Sequence, residues 1–163
     1  MSAVVTSILS VRRSIQIAAP PARVWEEFAS FDRMNRWWGV MVGAPEAGKP
    51  NGQRLIAYEP RVAGHIEMEV MLDGAPLRYG GSIVVFEPGR ELTFENDWIP
   101  NQGWLQPTWI TLRLSPVLGG TLVELIHHGF ERTGTHGADE HEGYESGWGM
   151  TQLSALRRLI GVQ

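Results

Sequence analysis

Two adjacent histidines, His127 and His128, close a segment of strand character, and a third, His141, stands four residues before Glu145 in a segment of helical character. Imidazole titrates near neutrality, so each could orient a polar ligand group, move a proton or ligate a metal. Successive side chains of a strand point to opposite faces, so His127 and His128 do not chelate one ion together. Parity groups Val123, Leu125 and His127 on one face and Leu122, Glu124, Ile126 and His128 on the other. Because Glu124 seeks water, the His127 face is assigned inward. There His127 is expected to contact a ligand, or to act as a general acid or base with Glu145 orienting it; the competing reading is a histidine satisfied within the core. The i, i+4 spacing of His141 and Glu145 is that of a metal-ligand pair, yet acids at Asp139, Glu140 and Glu142 are equally what a helix N-terminus favours. No metal and no cofactor are expected.

Those groups act only where their elements hold them. The stretch from Glu140 to Leu159 reads as one long amphipathic helix: at 100° per residue Tyr144, Trp148, Ala155, Leu156 and Leu159 share a face, while Arg157 and Arg158 lie away from it. His141, Glu145 and Gln152 fall within the apolar arc, which a helix that merely plugs a core would avoid, so this helix is expected to roof a cavity. The chain holds seven tryptophans. Trp37, Trp98 and Trp148 are assigned to the cavity, since an indole joins a broad apolar face to one N–H donor; Trp38 and Trp104 could equally cap the sheet rim. Alternation turns Thr108, Ile110, Leu112 and Leu114 inward in one strand, and Leu92, Phe94, Asn96 and Trp98 inward in the strand before it. The expected ligand-contacting set is Trp37, Phe94, Trp98, Ile110, Leu125, His127, Tyr144, Trp148 and Gln152. Gly147 and Gly149 flank Trp148, and each costs a helix ~1 kcal/mol relative to alanine. They serve either close packing beside the indole or a local loosening that admits a guest.

Earlier segments supply the sheet. Val11 to Ala18 alternates as a half-buried strand and stops at Pro20-Pro21. Short helices are expected from Pro21 to Ser30 and from Phe31 to Trp38, followed by a loop over Gly39 to Gly52. Six further strands are expected at Gln53 to Glu59, Gly64 to Leu72, Arg78 to Glu87, Glu91 to Trp98, Thr108 to Ser115 and Thr121 to His128, separated by Pro, Gly and Asn turns. Such short links join antiparallel neighbours, because parallel ones need long crossovers. The fold expected is α+β, a helix-grip: a seven-stranded curved antiparallel sheet around a long C-terminal helix of ~22 residues and ~33 Å, with two short helices after the first strand.

Composition narrows the function classes. A chain of 163 residues is expected to form a single domain over 1–163. Its 43% hydrophobic and 20% charged content is ordinary for a globular protein. A net charge of −4 and scattered arginines, adjacent only at Arg12-Arg13 and Arg157-Arg158, argue against nucleic acid. No cysteine is present, which excludes disulfides and thiolate chemistry. The first ten residues lack a basic start and any apolar run near the ~20 residues that span a bilayer. They are read as a frayed start leading into a strand; a cytoplasmic location without membrane insertion is expected, and a homodimer is allowed.

The runs IQIAAPPARVWEEFASFDRMNRWWG, FEPGRELTFENDW, GGTLVELIHHGF and HEGYESGWGMTQLSALRRL, in this order from Val11 onward, resemble the START-like, birch-pollen-allergen type superfamily. Within it the chain is similar to the branch named after the activator of the ninety-kilodalton heat-shock protein ATPase. The resemblance implies a deep cavity between curved sheet and C-terminal helix that takes lipids, steroids, polyketides or other apolar molecules. Three functions are consistent with it: binding of a small hydrophobic or amphipathic ligand; a cyclase, hydrolase or isomerase acting on an aromatic or polyketide-like substrate through His127 and Glu145; and a chaperone-interacting module using the convex face, where Trp109 and Ile126 project.

Overall fold

The first strand is built by alternation. Val11, Ile15 and Ile17 are buried while Arg12, Ser14 and Gln16 face water. In the computed structural model, which describes residues 9–39, 50–72 and 74–161, this strand is β1, Ser10–Ile17. It is followed by α1 (Pro21–Trp25), a 3-10 turn (Glu26–Phe28) and α2 (Phe31–Trp38). Then come β2 (Pro50–Tyr58), β3 (His65–Leu72), β4 (Ala75–Glu87), β5 (Glu91–Ile99), β6 (Thr108–Val117) and β7 (Gly120–His128). A second 3-10 turn (Phe130–Thr133) leads to α3 (Gly137–Gly147) and α4 (Thr151–Gly161). No described helix is long and apolar enough to cross a membrane.

The seven strands form one antiparallel sheet in the order β1-β7-β6-β5-β4-β3-β2, curled into a half-barrel as the helix-grip expectation requires. The last strand pairs with the first, so among the described residues β1 and β2 are the edges. The meander makes every other pairing local, and β7 returns beside β1. Residues 1–8, and residues 40–49 of the expected loop, lie outside the described residues; the remainder of that loop, from Pro50, belongs to β2.

Between β1 and β2 the short helices are tied by Glu27. It is 2% exposed and accepts from Arg23 at 2.7 Å and Arg33 at 3.0 Å. The Ser30 hydroxyl caps α2 by accepting from the Arg33 N–H. This closed turn of chain drops Trp37 and Trp38 into the core, where both are fully buried.

One expectation fails. The stretch Glu140 to Leu159 is two helices, broken at Trp148, Gly149 and Met150. Trp148 is extended, with φ −71° and ψ 128°, and its neighbours Gly147 and Gly149 weaken helix propagation on both sides. The broken end is stabilised from the sheet. Arg13, which has the same parity as the buried Val11 and Ile15, donates to the Glu145 carbonyl at 2.8 Å and to the Trp148 carbonyl at 3.0 Å. A cation on the last carbonyls of a helix satisfies groups that a continuing helix would have used.

Candidate functional site

His127 centres the site. It is fully buried on the concave face of β7, opposite Ile110 of β6. The Trp148 indole, which carries only a donor, gives its N–H to Nδ1 at 3.0 Å. Nε2 must then carry the imidazole proton and donate to the Thr108 hydroxyl at 2.7 Å, which donates in turn to the Asn96 carbonyl at 3.1 Å. Burial first, then His128 and His141, push the His127 pKa down to about 3, so the ring is neutral at ordinary pH. Aromatic neighbours complete the shell: Phe130 at 4.5 Å, Tyr144 at 4.6 Å and Trp148 at 6.1 Å between ring centroids.

From Trp148 the aromatic wall continues inward. Trp38 lies 6.1 Å from it and 6.3 Å from Phe94, and Trp37 meets Trp38 edge-on at 5.6 Å. Farther along the sheet Tyr79 packs edge-on against Trp98 at 6.1 Å. The Tyr79 hydroxyl donates to Gln53, whose amide donates to the Trp38 carbonyl at 2.6 Å. The Trp38 indole N–H sits beside that hydroxyl but closes no well-formed hydrogen bond, and the Asn96 side-chain oxygen, 1% exposed as a residue, has no partner among the described residues. A buried polar atom left so costs ~1–3 kcal/mol. Burial raises the phenol pKa of Tyr79 and of Tyr144, the latter also under Glu140 and Asp97, so both stay neutral.

The expected residues therefore divide. Phe94, Trp98, Ile110, Leu125, His127, Tyr144 and Trp148 share the concave side, with Ile110 and Leu125 as its floor. Trp37 stands behind Trp38, against Phe28, with its N–H on the Glu27 carbonyl at 2.9 Å. Gln152 is half-buried on the first turn of α4. Glu145 is not brought to His127: its side chain is half exposed and lies 3.8 Å from Arg13. His141 bonds the Ser10 carbonyl at 2.9 Å, and no metal-ligating cluster occurs among the described residues. Phe130, Trp38, Thr108 and Arg13 adjoin these residues although none was in the expected ligand-contacting set; Thr108 faces inward as expected, whereas Trp38, offered as a cap of the sheet rim, is fully buried. Arg13 did carry a signal, a charge on the apolar parity of a strand.

The convex face differs in kind. A recess of about 660 Å³ there contains a directed chain in which His128 bonds Thr111 at 3.1 Å, Thr111 bonds Thr93 at 2.8 Å and Thr93 donates to Glu91 at 2.8 Å. Ile126, expected to project, is only 5% exposed, and Trp109 lies under the Arg132 guanidinium at 3.7 Å.

A family model described as polyketide cyclase/dehydrase and lipid transport matches residues 9–149. The chain belongs to that family. The match carries the START-like expectation without singling out the heat-shock ATPase activator branch. Among solved structures, a protein from Arthrobacter aurescens aligns with a TM-score of 0.69 at 19% identity, over 98% of this chain and 93% of its own. Protein CV1439 from Chromobacterium violaceum aligns with a TM-score of 0.66 at 19% identity, over 95% of this chain and 99% of its own. Both share the fold. No curated protein sequence matches the chain.

Proposed function

We propose that the protein binds one small apolar or amphipathic molecule between the concave sheet face and the C-terminal helices, with α3 as the element that moves aside. What carries this reading is the way α3 is held. Among its residues only Gly137 is buried, and it is held chiefly by hydrogen bonds: Glu140 accepts from Trp104, His141 bonds the Ser10 carbonyl, and its far end rests on Arg13, on the Trp148–His127 hydrogen bond and on the half-buried Tyr144 ring. Such a cover can lift without dismantling the core, because few apolar contacts tie it down. Beneath it the guest would meet Phe94, Trp98, Ile110, Leu125, Tyr144 and Trp148. Family membership supports the same class of guest.

A catalytic role for the His127–Glu145 pair finds no support in this geometry. The two groups do not meet, both imidazole nitrogens are engaged, and a base with a pKa near 3 takes up protons poorly at neutral pH. Binding is tested by titrating the protein with the neutral probe N-phenyl-1-naphthylamine and by native mass spectrometry after mild purification. One saturable equivalent that quenches tryptophan emission is expected; a linear, unsaturable response with no retained guest would refute the proposal.

A further inference from the structure

We infer that Asn96 sets the specificity of this site, selecting an uncharged aromatic guest that bears a hydroxyl over a bare hydrocarbon and over a carboxylate. The inference rests on the binding site proposed above.

Asn96 lies on the concave face of β5, in the row that holds Phe94 and Trp98. A primary amide in such a row normally bonds a neighbouring strand's side chain, and Thr108, its direct partner on β6, is in reach. Thr108, however, gives its proton to the Asn96 backbone carbonyl and receives one from His127, so its hydroxyl is committed. On the β4 side Gly80 pairs with Asp97 and Ile83 with Phe94 in one register, which sets Gly81 beside Asn96, so a glycine, not a polar side chain, stands opposite. The side-chain oxygen of Asn96 is thus buried and unpartnered by construction of its surroundings. Buried polar atoms are nearly always paired, and an exception in a binding region is what a ligand donor would complete.

What surrounds Asn96 defines the guest. Trp98 and Phe94 flank it along the strand, and the Tyr144 phenol of α3 comes near enough to feel both Asp97, the next residue, and Tyr79. These are aromatic surfaces, suited to a flat ring. The polar groups among them, His127, Tyr79, Tyr144 and Asn96, are all neutral. A hydroxyl can donate to the Asn96 oxygen at no charge cost, whereas a carboxylate would be buried without a cation, Arg13 being engaged by helix carbonyls.

The test compares naphthalene, 2-naphthol and 2-naphthoate at neutral pH, by calorimetry and tryptophan quenching, with wild-type protein and with Asn96→Leu and Asn96→Thr. In the wild type 2-naphthol is expected to bind at least tenfold more tightly than naphthalene, with 2-naphthoate weakest. In Asn96→Leu the ratio of 2-naphthol to naphthalene should fall to about one, and Asn96→Thr should restore part of it. Removing an orphaned amide oxygen should also raise the Asn96→Leu unfolding midpoint, by roughly 2–4 °C, where loss of a merely structural asparagine would lower it. Equal binding of naphthalene and 2-naphthol by the wild type, or a preference that survives Asn96→Leu, overturns the role of Asn96 and leaves the binding site standing. Failure of all three probes to bind removes both.

Discussion

The two helices that close the chain have the same length and opposite attachments. Helix α4 buries Leu153, Ala155, Leu156 and Ile160 against α2 and β1. Each fully buried leucine or isoleucine is worth ~1.5–3 kcal/mol, so α4 is part of the core. Helix α3 buries only Gly137, half-buries Glu140, His141 and Tyr144, and is fastened mainly by polar contacts, from Arg13, Ser10, Trp104 and His127, with the Tyr144 and His141 rings set against Phe130. Hydrophobic burial is undirected and many-bodied, whereas a few hydrogen bonds open together. One chain segment thus supplies both a fixed wall and a detachable one, and the division falls at the extended Trp148.

The largest expected contrast comes from Leu156→Ala, which should cost ~2–5 kcal/mol in global stability by urea unfolding, while Glu142→Ala on α3 should stay within ~0.5 kcal/mol. Comparable losses from both would erase the distinction between wall and cover.

Acid should open the cover first. The folded His127 pKa of about 3 lies below the ordinary value of 6.5, so the unfolded chain binds more protons between those limits. Stability contributed by neutral His127 is therefore present above about pH 6.5 and falls as pH drops towards 3, by at most ~1.4 kcal/mol per pH unit. Protonated Nδ1 also no longer accepts from Trp148. Amide exchange in α3 should accelerate before that in α4 as pH falls, and the His127 ring signals should stay constant from pH 8 to 6. A His127 titration near 6.5 by NMR would contradict the satisfied imidazole.

Arg13→Met should act on α3 alone, speeding its C-terminal amide exchange by ~10-fold, the scale of one charge-assisted hydrogen bond, with α4 unchanged. Uniform acceleration of both helices would mean that Arg13 serves the sheet instead. The smallest effect is expected of Gly149→Ala. A methyl group there meets nothing within 4 Å, so the variant should gain ~0.5 kcal/mol while binding N-phenyl-1-naphthylamine more slowly, as seen by stopped-flow quenching.

Much of this arrangement is legible in the chain. Strand alternation places Phe94, Asn96, Ile110, Leu125 and His127 on one face because the side-chain period is fixed at two, whatever the strand packs against. The helical period likewise puts Tyr144 and Trp148 on the sheet side. Periodicity does not report the competition at Trp148, where two weak helical glycines meet an imidazole acceptor 21 residues earlier and a guanidinium 135 residues earlier.

The sequence by itself therefore determined the seven strands, the antiparallel meander of β2 to β7 and the inward faces, since all of these follow from local period and turn chemistry. Tertiary structure alone decided that the last helix is broken, that Glu145 turns to Arg13 and away from His127, and that the Asn96 side-chain oxygen is left without a partner among the described residues. Each of those outcomes depends on which distant donor or acceptor reaches a group first, and that is settled only when β1 closes against β7.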